Sequence, residues 1–237
     1  MIVFTTGTSA LARVKVLNIL LLAKIIIIVS TINVVAQTSI GNSDNQWSGF
    51  YIGVQGSYVT GKNHWQQTAP FSQSIEGNMN GVLFGIVGGW NFQNNNLIYG
   101  VELDSSFGKA DALSVNNPGP PSFLCGSAGC KTEISNFSTF RSRIGYTFGN
   151  TLPYFTAGVA VARARADAPR AIINLTDTVS GFVFGVGIEH AFSNHISGKI
   201  EYIHTDLGDF SIPTNCSINC TSPIEFGLLR AGLNYQF

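Results

Sequence analysis

The sequence predicts an all-β fold: an eight-stranded antiparallel transmembrane up-and-down β-barrel with short periplasmic turns and longer extracellular loops. Apolar and polar side chains alternate in segments along most of the 237 residues, which is typical of strands with one apolar face. Charged residues make up only 11% of the chain, against roughly 25% in soluble domains. The last strand ends on Tyr235 and Phe237, and aromatic residues collect where a bilayer meets water.

The N-terminus contains the longest continuous apolar block of the chain. Arg13, Lys15 and Lys24 precede the apolar run at 25–35, and Val-Val-Ala at 34–36 ends the segment. A basic segment, a short apolar stretch and small residues at the end are typical of a secretory signal, with cleavage predicted before Gln37. The alternative is a transmembrane anchor over 16–35, but Lys24 within it would cost about 2.5–3.5 kcal/mol.

The predicted organisation is therefore a signal peptide at 1–36, a periplasmic lead-in at 37–46 and the barrel at 47–237. Removing three of the 13 basic residues and none of the 13 acidic ones leaves a net charge of −3. No basic excess remains, so no nucleic-acid partner is predicted. The sequence has no G-x-S-x-G or phosphate-binding glycine motif, and an enzyme is not predicted.

The first four strands are predicted at 47–60, 78–90, 97–108 and 133–148. Each has an apolar face opposite a polar or glycine-rich one. The apolar faces carry Phe50, Ile52, Val54 and Tyr58 in the first strand, Val82, Phe84, Ile86 and Trp90 in the second, Tyr99, Val101, Leu103 and Phe107 in the third, and Phe140, Ile144, Tyr146 and Phe148 in the fourth.

The last four strands are predicted at 152–164, 178–192, 195–207 and 223–237. The facing of the fifth is left open because many of its side chains are alanine. The sixth, seventh and eighth alternate clearly. Their apolar faces carry Phe182, Phe184, Val186, Ile188 and Phe192 in the sixth, Ile196, Ile200 and Tyr202 in the seventh, and Leu229, Leu233, Tyr235 and Phe237 in the eighth.

Long and short connections alternate between these strands. Long polar loops are predicted at 61–77, 109–132, 165–177 and 208–222, and short turns separate the other strand pairs. An even strand number with this asymmetry is typical of barrels in the bacterial outer membrane, surrounded by lipid. A soluble eight-stranded barrel would have its apolar side chains inside.

The charged residues within strands lie opposite the aromatic rows. They are four acids and four bases: Glu102, Asp104, Glu189, Glu201, Arg141, Arg143, Lys199 and Arg230. A charge on a lipid face costs roughly 2–4 kcal/mol near the bilayer midplane, whereas opposite charges in a narrow lumen can pair. We therefore predict a lumen ion-pair network of these eight residues. The alternative is an acid–base catalytic group, but balanced charge in a small barrel favours a structural role.

The four cysteines form two close pairs, Cys125 with Cys130 and Cys216 with Cys220, in predicted loops. Because an exported chain enters an oxidising compartment, disulfides are the favoured interpretation. Four cysteines allow three pairings. A zinc site is the alternative, but two pairs so far apart in sequence fit it less well. No metal and no cofactor are predicted.

Several motifs resemble those of small alphaproteobacterial outer-membrane barrels. They are WSGFYIG at 47–53, LIYGVE at 97–102, GVGIEHAF at 185–192, KIEY at 199–202, DLG at 206–208 and RAGLNYQF at 230–237. This family is grouped with the OmpA-like and opacity-like barrels, and includes surface antigens and hemin-binding proteins. The resemblance implies a location in the outer membrane and a terminal Phe237 that the barrel-assembly machinery reads.

The resemblance carries activity less well than fold, because activity in such proteins resides in the loops. The first hypothesis is a structural surface protein whose extracellular loops contact host or environment. The second is binding of hemin or another small ligand. Here His64, next to Trp65 in the first predicted outer loop, is a candidate iron ligand because an imidazole can ligate haem iron.

Overall fold

The computed structural model describes residues 46–67, 73–114, 130–168, 173–212 and 220–237. These form eight strands: β1 (Gly49–Gln67), β2 (Gln73–Asn94), β3 (Leu97–Ser114), β4 (Cys130–Tyr146), β5 (Thr151–Ala168), β6 (Ile173–Ala191), β7 (Ile196–Ile212) and β8 (Cys220–Gln236). Each strand pairs antiparallel with the next, and β8 pairs with β1, so the sheet is a closed barrel. The predicted fold is confirmed.

The predicted signal peptide at 1–36 and the lead-in up to residue 45 lie outside the described residues. Among the residues that are described, no helix has the length and apolar character needed to cross a bilayer.

A band of large apolar side chains covers the outside of the barrel. Phe84, Phe155 and Phe182 expose 68%, 68% and 74% of their surface. We call this set the apolar band: Phe50, Ile52, Val54, Tyr58, Val82, Phe84, Ile86, Tyr99, Val101, Leu103, Phe107, Ile144, Tyr146, Phe155, Val159, Phe182, Phe184, Val186, Ile188, Ile196, Ile200, Tyr202, Leu229, Leu233 and Tyr235. Only a solvent as apolar as lipid tolerates such a surface on a folded protein.

Three short connections define one end of the barrel, which we call the turn end. Asn95 in the β2–β3 turn has φ 54°, and Gly149 in the β4–β5 turn has φ 59°. Asparagine and glycine adopt this left-handed conformation at low cost. The chain also ends here, where the Phe237 N–H donates to the Phe50 carbonyl oxygen at 3.0 Å. The opposite end, which carries the other connections, is the loop end.

The strands run further toward the loop end than predicted, so the predicted bounds of the four long loops are wrong. β1 continues to Gln67 and β2 starts at Gln73, which leaves 68–72 where 61–77 was predicted. The remaining connections shrink to 115–129, 169–172 and 213–219. Polar residues at these strand ends resemble loop sequence, but a strand that has left the lipid can carry polar side chains outward and still pair its backbone.

The polarity of the barrel reverses at this loop-end extension. Lys62, Asn80 and Arg163 are exposed on the outside, while the interior is packed with a cluster that includes Phe137 and Phe226, whose rings meet edge to face at 5.6 Å. The rest of this cluster is mostly aliphatic and comprises Val59, Met79, Leu83, Ala110, Ala112, Cys130, Ile134, Ala160, Ala162, Ala164, Ala166, Val183, Ile203, Leu207, Ile224 and Leu228. We call it the upper core.

The upper core settles the facing of β5, which the sequence left open. Four alanines on alternate positions, Ala160 to Ala166, point inward, and Arg163 and Arg165 point outward. A smaller apolar cluster of Trp47, Ile98, Leu152, Tyr154 and Ala191 fills the interior near the turn end. The polar interior is therefore a central layer between two apolar ones.

Candidate functional site: a charge network inside the barrel

All eight charged residues singled out from the sequence lie on the inner face in the central layer. They come from β3, β4, β6, β7 and β8, and each exposes 3% of its surface or less. The strand register places three pairs of opposite charges directly across from one another: Glu102 with Arg141, Glu189 with Lys199, and Glu201 with Arg230. Cross-strand neighbours of opposite charge attract, so the pairing of the strands already brings the network together.

Arg141 is at the centre of the network. Its Nη2 donates to a carboxylate oxygen of Glu102 and lies 3.3 Å from Asp104 Oδ2. Its Nη1 donates to Glu201 Oε1 at 2.6 Å. The third guanidinium nitrogen, Nε, donates to Thr139 Oγ1 at 3.0 Å, and that hydroxyl donates in turn to Asp104. One planar cation thus holds three carboxylates, a geometry suited to the fixed fork of donors on arginine.

Glu102 joins Arg141 to the cations nearer the turn end. Its Oε2 accepts from Lys199 Nζ at 2.8 Å and from the Tyr51 hydroxyl at 2.8 Å. Arg143 Nη1 lies 3.8 Å from the same oxygen. Three cations therefore surround one carboxylate, which repays part of the cost of burying it.

Arg143 forms a second centre with Glu189. Its Nη2 donates to Glu189 Oε2 at 2.7 Å, and Nη1 donates to the Tyr51 hydroxyl at 3.0 Å. The guanidinium carbon sits 4.2 Å from the centroid of the Tyr154 ring, a favourable cation–π distance. The other oxygen of Glu189 accepts from Ser197 at 2.6 Å and Asn234 at 2.7 Å.

Arg230 closes the network on the side of β8. Its Nη1 lies 3.2 Å from Asp104 Oδ2 and 3.7 Å from Glu201 Oε2. Neither contact has hydrogen-bond alignment, and the one hydrogen bond of this guanidinium runs from Nε to Ser57 Oγ at 3.1 Å. Arg230 therefore acts mainly through its charge.

The neutral members of the network were missed by sequence reasoning. Tyr51, Gln55, Thr139, Ser197 and Asn234 all hydrogen-bond to its carboxylates. The alternation of the sequence predicts that these residues face inward, but their hydrogen-bond partners depend on the strand register. One signal was available in the glycines: a Cβ on Gly89 would lie 2.4 Å from the Tyr51 ring, and one on Gly187 would lie 2.4 Å from the Tyr154 ring.

This arrangement supports electrostatic cross-linking of the barrel wall. Four acids and four bases balance, and every acid has a cation within 4 Å. The charges are enclosed between the upper core and the cluster at the turn end. Among the described residues, no three His, Cys, Asp or Glu side chains converge on a point where a metal ion could sit.

The other predicted site residues that the structure describes lie outside the central layer. His64 is in β1, where its backbone pairs with Glu76, and not in a loop as expected. Cys130 opens β4, is buried and is disulfide-bonded. Cys220 opens β8, and Cys125 and Cys216 lie outside the described residues. Phe237 exposes 67% of its surface at the turn end and stacks on Phe50 with ring centroids 5.7 Å apart.

The comparison with known families decides the identity of the barrel. The family model described as "Outer membrane protein beta-barrel domain" matches residues 25–237. The chain belongs to this outer-membrane β-barrel family. The protein is accordingly located in the bacterial outer membrane, with its short turns on the periplasmic side and its loop end outside. The apolar band is then the surface in contact with outer-membrane lipid.

Relatives of known identity are outer-membrane proteins as well. The 31 kDa outer-membrane immunogenic protein of Brucella melitensis is 30% identical over 206 residues, which cover 81% of this chain and 84% of that protein. The 22 kDa outer membrane protein of Rhizobium leguminosarum is 26% identical over 161 residues, covering 68% and 64%. Among solved structures, Neisserial surface protein A matches at 18% identity with a TM-score of 0.42, covering 80% of this chain and 98% of that one.

Proposed function

We propose that this protein is a closed outer-membrane anchor that presents surface segments to host or environment, and that it neither conducts solutes nor performs catalysis. The observation that carries the proposal is the filled interior. Two apolar clusters and the charge network occupy the barrel from the turn end to the loop end. Eight strands leave room for little more than side chains.

The loop-end extension is the part that suits presentation. Beyond the apolar band, the strands have a mostly polar outside, with Leu113 as an exposed apolar exception, and an apolar inside, as in a soluble barrel. This extension carries the strand ends that border 68–72, 115–129, 169–172 and 213–219 beyond the apolar band on a packed support. Rigid scaffolds that hold variable loops are a common basis for binding functions. The name of the Brucella relative, an immunogenic outer-membrane protein, agrees with surface exposure.

The charge network supports a structural role over a catalytic one. A general acid or base must reach a substrate, but these eight side chains expose 3% or less and already contact each other. Arg141 and Glu102 in particular use their donors and acceptors on neighbouring network members.

Conductance and surface display test the two parts of this proposal. The purified full-length protein, refolded into a planar bilayer, should show no stepwise conductance. For display, an epitope inserted in 115–129 should be stained by antibody on intact cells. A matched insertion at the Asn95–Asn96 turn should be stained only after permeabilisation. Steady open-channel currents, or staining of both insertions only in permeabilised cells, would contradict the proposal.

Contact with a host is tested through the same segment. Replacing 115–129 by a glycine-serine linker of equal length should lower bacterial adhesion to host cells and leave the amount of folded barrel unchanged. The same replacement is then made in each of the other three connections, one at a time. If every one of these strains adheres as well as the wild type, the protein has no host-contact role and only the anchoring role remains.

A further inference from the structure

The outside of the barrel has an uneven charge distribution just beyond the apolar band. We call the exposed polar residues at this level the outer rim: Thr60, Asn80, Lys109, Asn136, Arg163, Ser180, Asp206 and Glu225, one from each strand from β1 to β8. The two cations are on β3 and β5, and the two acids are neighbours on β7 and β8, where Asp206 pairs with Glu225 in the ladder. One side of the rim is therefore positive and the other is negative.

The two rim cations have no partner among the residues that the structure describes. Lys109 and Arg163 form no ion pair or hydrogen bond with any residue that the structure describes. Two other outward cations near the loop end, Lys131 and Arg165, do have partners, whereas Lys62 on β1 has none among the described residues. Lys131 lies 3.7 Å from Asp111 and 3.4 Å from Glu133, and Arg165 lies 3.2 Å from Asp167. Charge on Lys109 and Arg163 is thus free for an external anion.

The spacing and level of the two cations suit an anion at the membrane surface. Asn136 lies between them on β4 and is the ladder partner of both Phe107 and Arg163. With neighbouring strands about 4.8 Å apart, β3 and β5 are separated by about 10 Å. Phe107, with 53% of its surface exposed, is the last apolar band residue on β3. A ligand here meets cations above and an apolar surface directly below.

We propose that Lys109, Asn136 and Arg163 form a docking site for the phosphate-bearing headgroup of an outer-leaflet lipid. The acyl chains of that lipid would lie on the apolar band beside Phe107. Lysine and arginine supply charge-assisted donors to phosphate oxygens, and the Asn136 amide adds a neutral donor. Because Phe107 belongs to the apolar band and is already covered by lipid, the anion nearest to these cations is the headgroup of that lipid, which favours lipid over a soluble polyanion. This inference goes beyond the anchoring role, and needs only that the loop end faces outward.

The test is a lipid titration of the full-length protein in detergent, followed by native mass spectrometry. The probes are bisphosphorylated lipid A and the same lipid with both phosphates removed. We expect the phosphorylated form to bind more tightly. Because each basic residue near a charged membrane surface is worth about 1 kcal/mol, Lys109→Gln and Arg163→Gln should each weaken binding about fivefold, and the double variant roughly 25-fold.

Lys131→Gln is the matched control, since it removes one outward charge that is already paired with Asp111 and Glu133. Its affinity should stay within about twofold of the wild type. Unchanged affinity in the double variant, an equal loss in Lys131→Gln, or equal binding of the dephosphorylated lipid would each overturn the proposal. Displacement of the lipid by soluble polyphosphate would also overturn it, because the site would then select polyanions and not lipid. Heat-modifiable gel migration verifies that every variant is folded.

Discussion

Removal of the Arg141 side chain should destabilise the barrel more than any change to an exposed charge. Arg141 is fully buried and contacts Glu102, Asp104 and Glu201. Without it, these three carboxylates keep only Lys199, Arg143 and Arg230, and Arg230 lies 3.2 Å and 3.7 Å from its two acids without hydrogen-bond alignment. Breaking a buried ion pair by removing one partner costs about 3–5 kcal/mol. We expect Arg141→Ala to lose at least this amount.

The loss is measured as the free energy of unfolding by guanidinium chloride in lipid vesicles, with the folded fraction read from heat-modifiable gel migration. Lys131→Ala is the control. Its side chain is 42% exposed, and an exposed ion pair contributes about 0–1 kcal/mol. Arg141→Met combined with Glu201→Gln should recover part of the loss, because the number of unmatched carboxylates falls. Equal stability of Arg141→Ala and Lys131→Ala would refute the reasoning, and so would a double variant no more stable than Arg141→Met.

Three further predictions concern packing, assembly and ligand binding. Gly89→Ala should lower the free energy of unfolding by about 1–3 kcal/mol through overpacking, since its Cβ would lie 2.4 Å from the Tyr51 ring. Gly88→Ala is the control: its Cβ would have no neighbour closer than 3.9 Å, so its free energy of unfolding should be nearly unchanged in the same assay. If Phe237 is the assembly signal, Phe237→Ala should reduce folded barrel in isolated outer membranes, while Phe148→Ala, an equally exposed aromatic at the turn end, should not; equal yields would remove that role. If hemin binds through His64, titration should give a Soret shift that His64→Ala abolishes and His195→Ala keeps, and a shift retained in His64→Ala would exclude this ligand.

The sequence predicts which side chains of a strand face lipid and which face the interior where the two alternating sets differ strongly in size and polarity. On β6, Phe182, Phe184 and Val186 alternate with glycines and Val183, and the outward row was readable directly. On β5 the contrast between the two faces is weaker, because alanine is small and fits a lipid-facing or an inward-facing position equally well. On this strand the informative residues are Arg163 and Arg165, which alternate with the alanines and therefore lie on the opposite face. That face is the outside once the strand is known to leave the lipid.

The strand ends and the upper core could not be read in the same way. Residues such as Lys62, Asn80 and Asp111 are polar because they face water above the membrane, and polar runs at strand ends look like loops. Period-2 patterns identify a lipid-facing surface only where the outside is apolar. Beyond the apolar band the outside is polar and the inside is apolar, as in a water-exposed barrel. There, only the continued backbone pairing shows that the strand extends further.

The charge network lies between these two cases. The eight charged members alternate with the lipid-facing residues of their strands, so the sequence predicts that all of them face the interior. Individual contacts depend on register: Glu102 meets Arg141 because β3 and β4 pair at those positions, while Lys199 reaches Glu102 across the lumen. Long-range contacts of this kind require the closed barrel, which no local pattern contains.

The central claim is that the large side chains of the apolar band face lipid while those of the upper core pack inside. Tryptophan quenching by brominated lipid tests it directly, using Phe184→Trp and Phe137→Trp in vesicles. Phe184 is 59% exposed in the apolar band, and Phe137 is fully buried in the upper core. The fluorescence added by Phe184→Trp should be strongly quenched by acyl-chain bromines, and that added by Phe137→Trp should not. Quenching of Phe137→Trp with protection of Phe184→Trp would contradict the account.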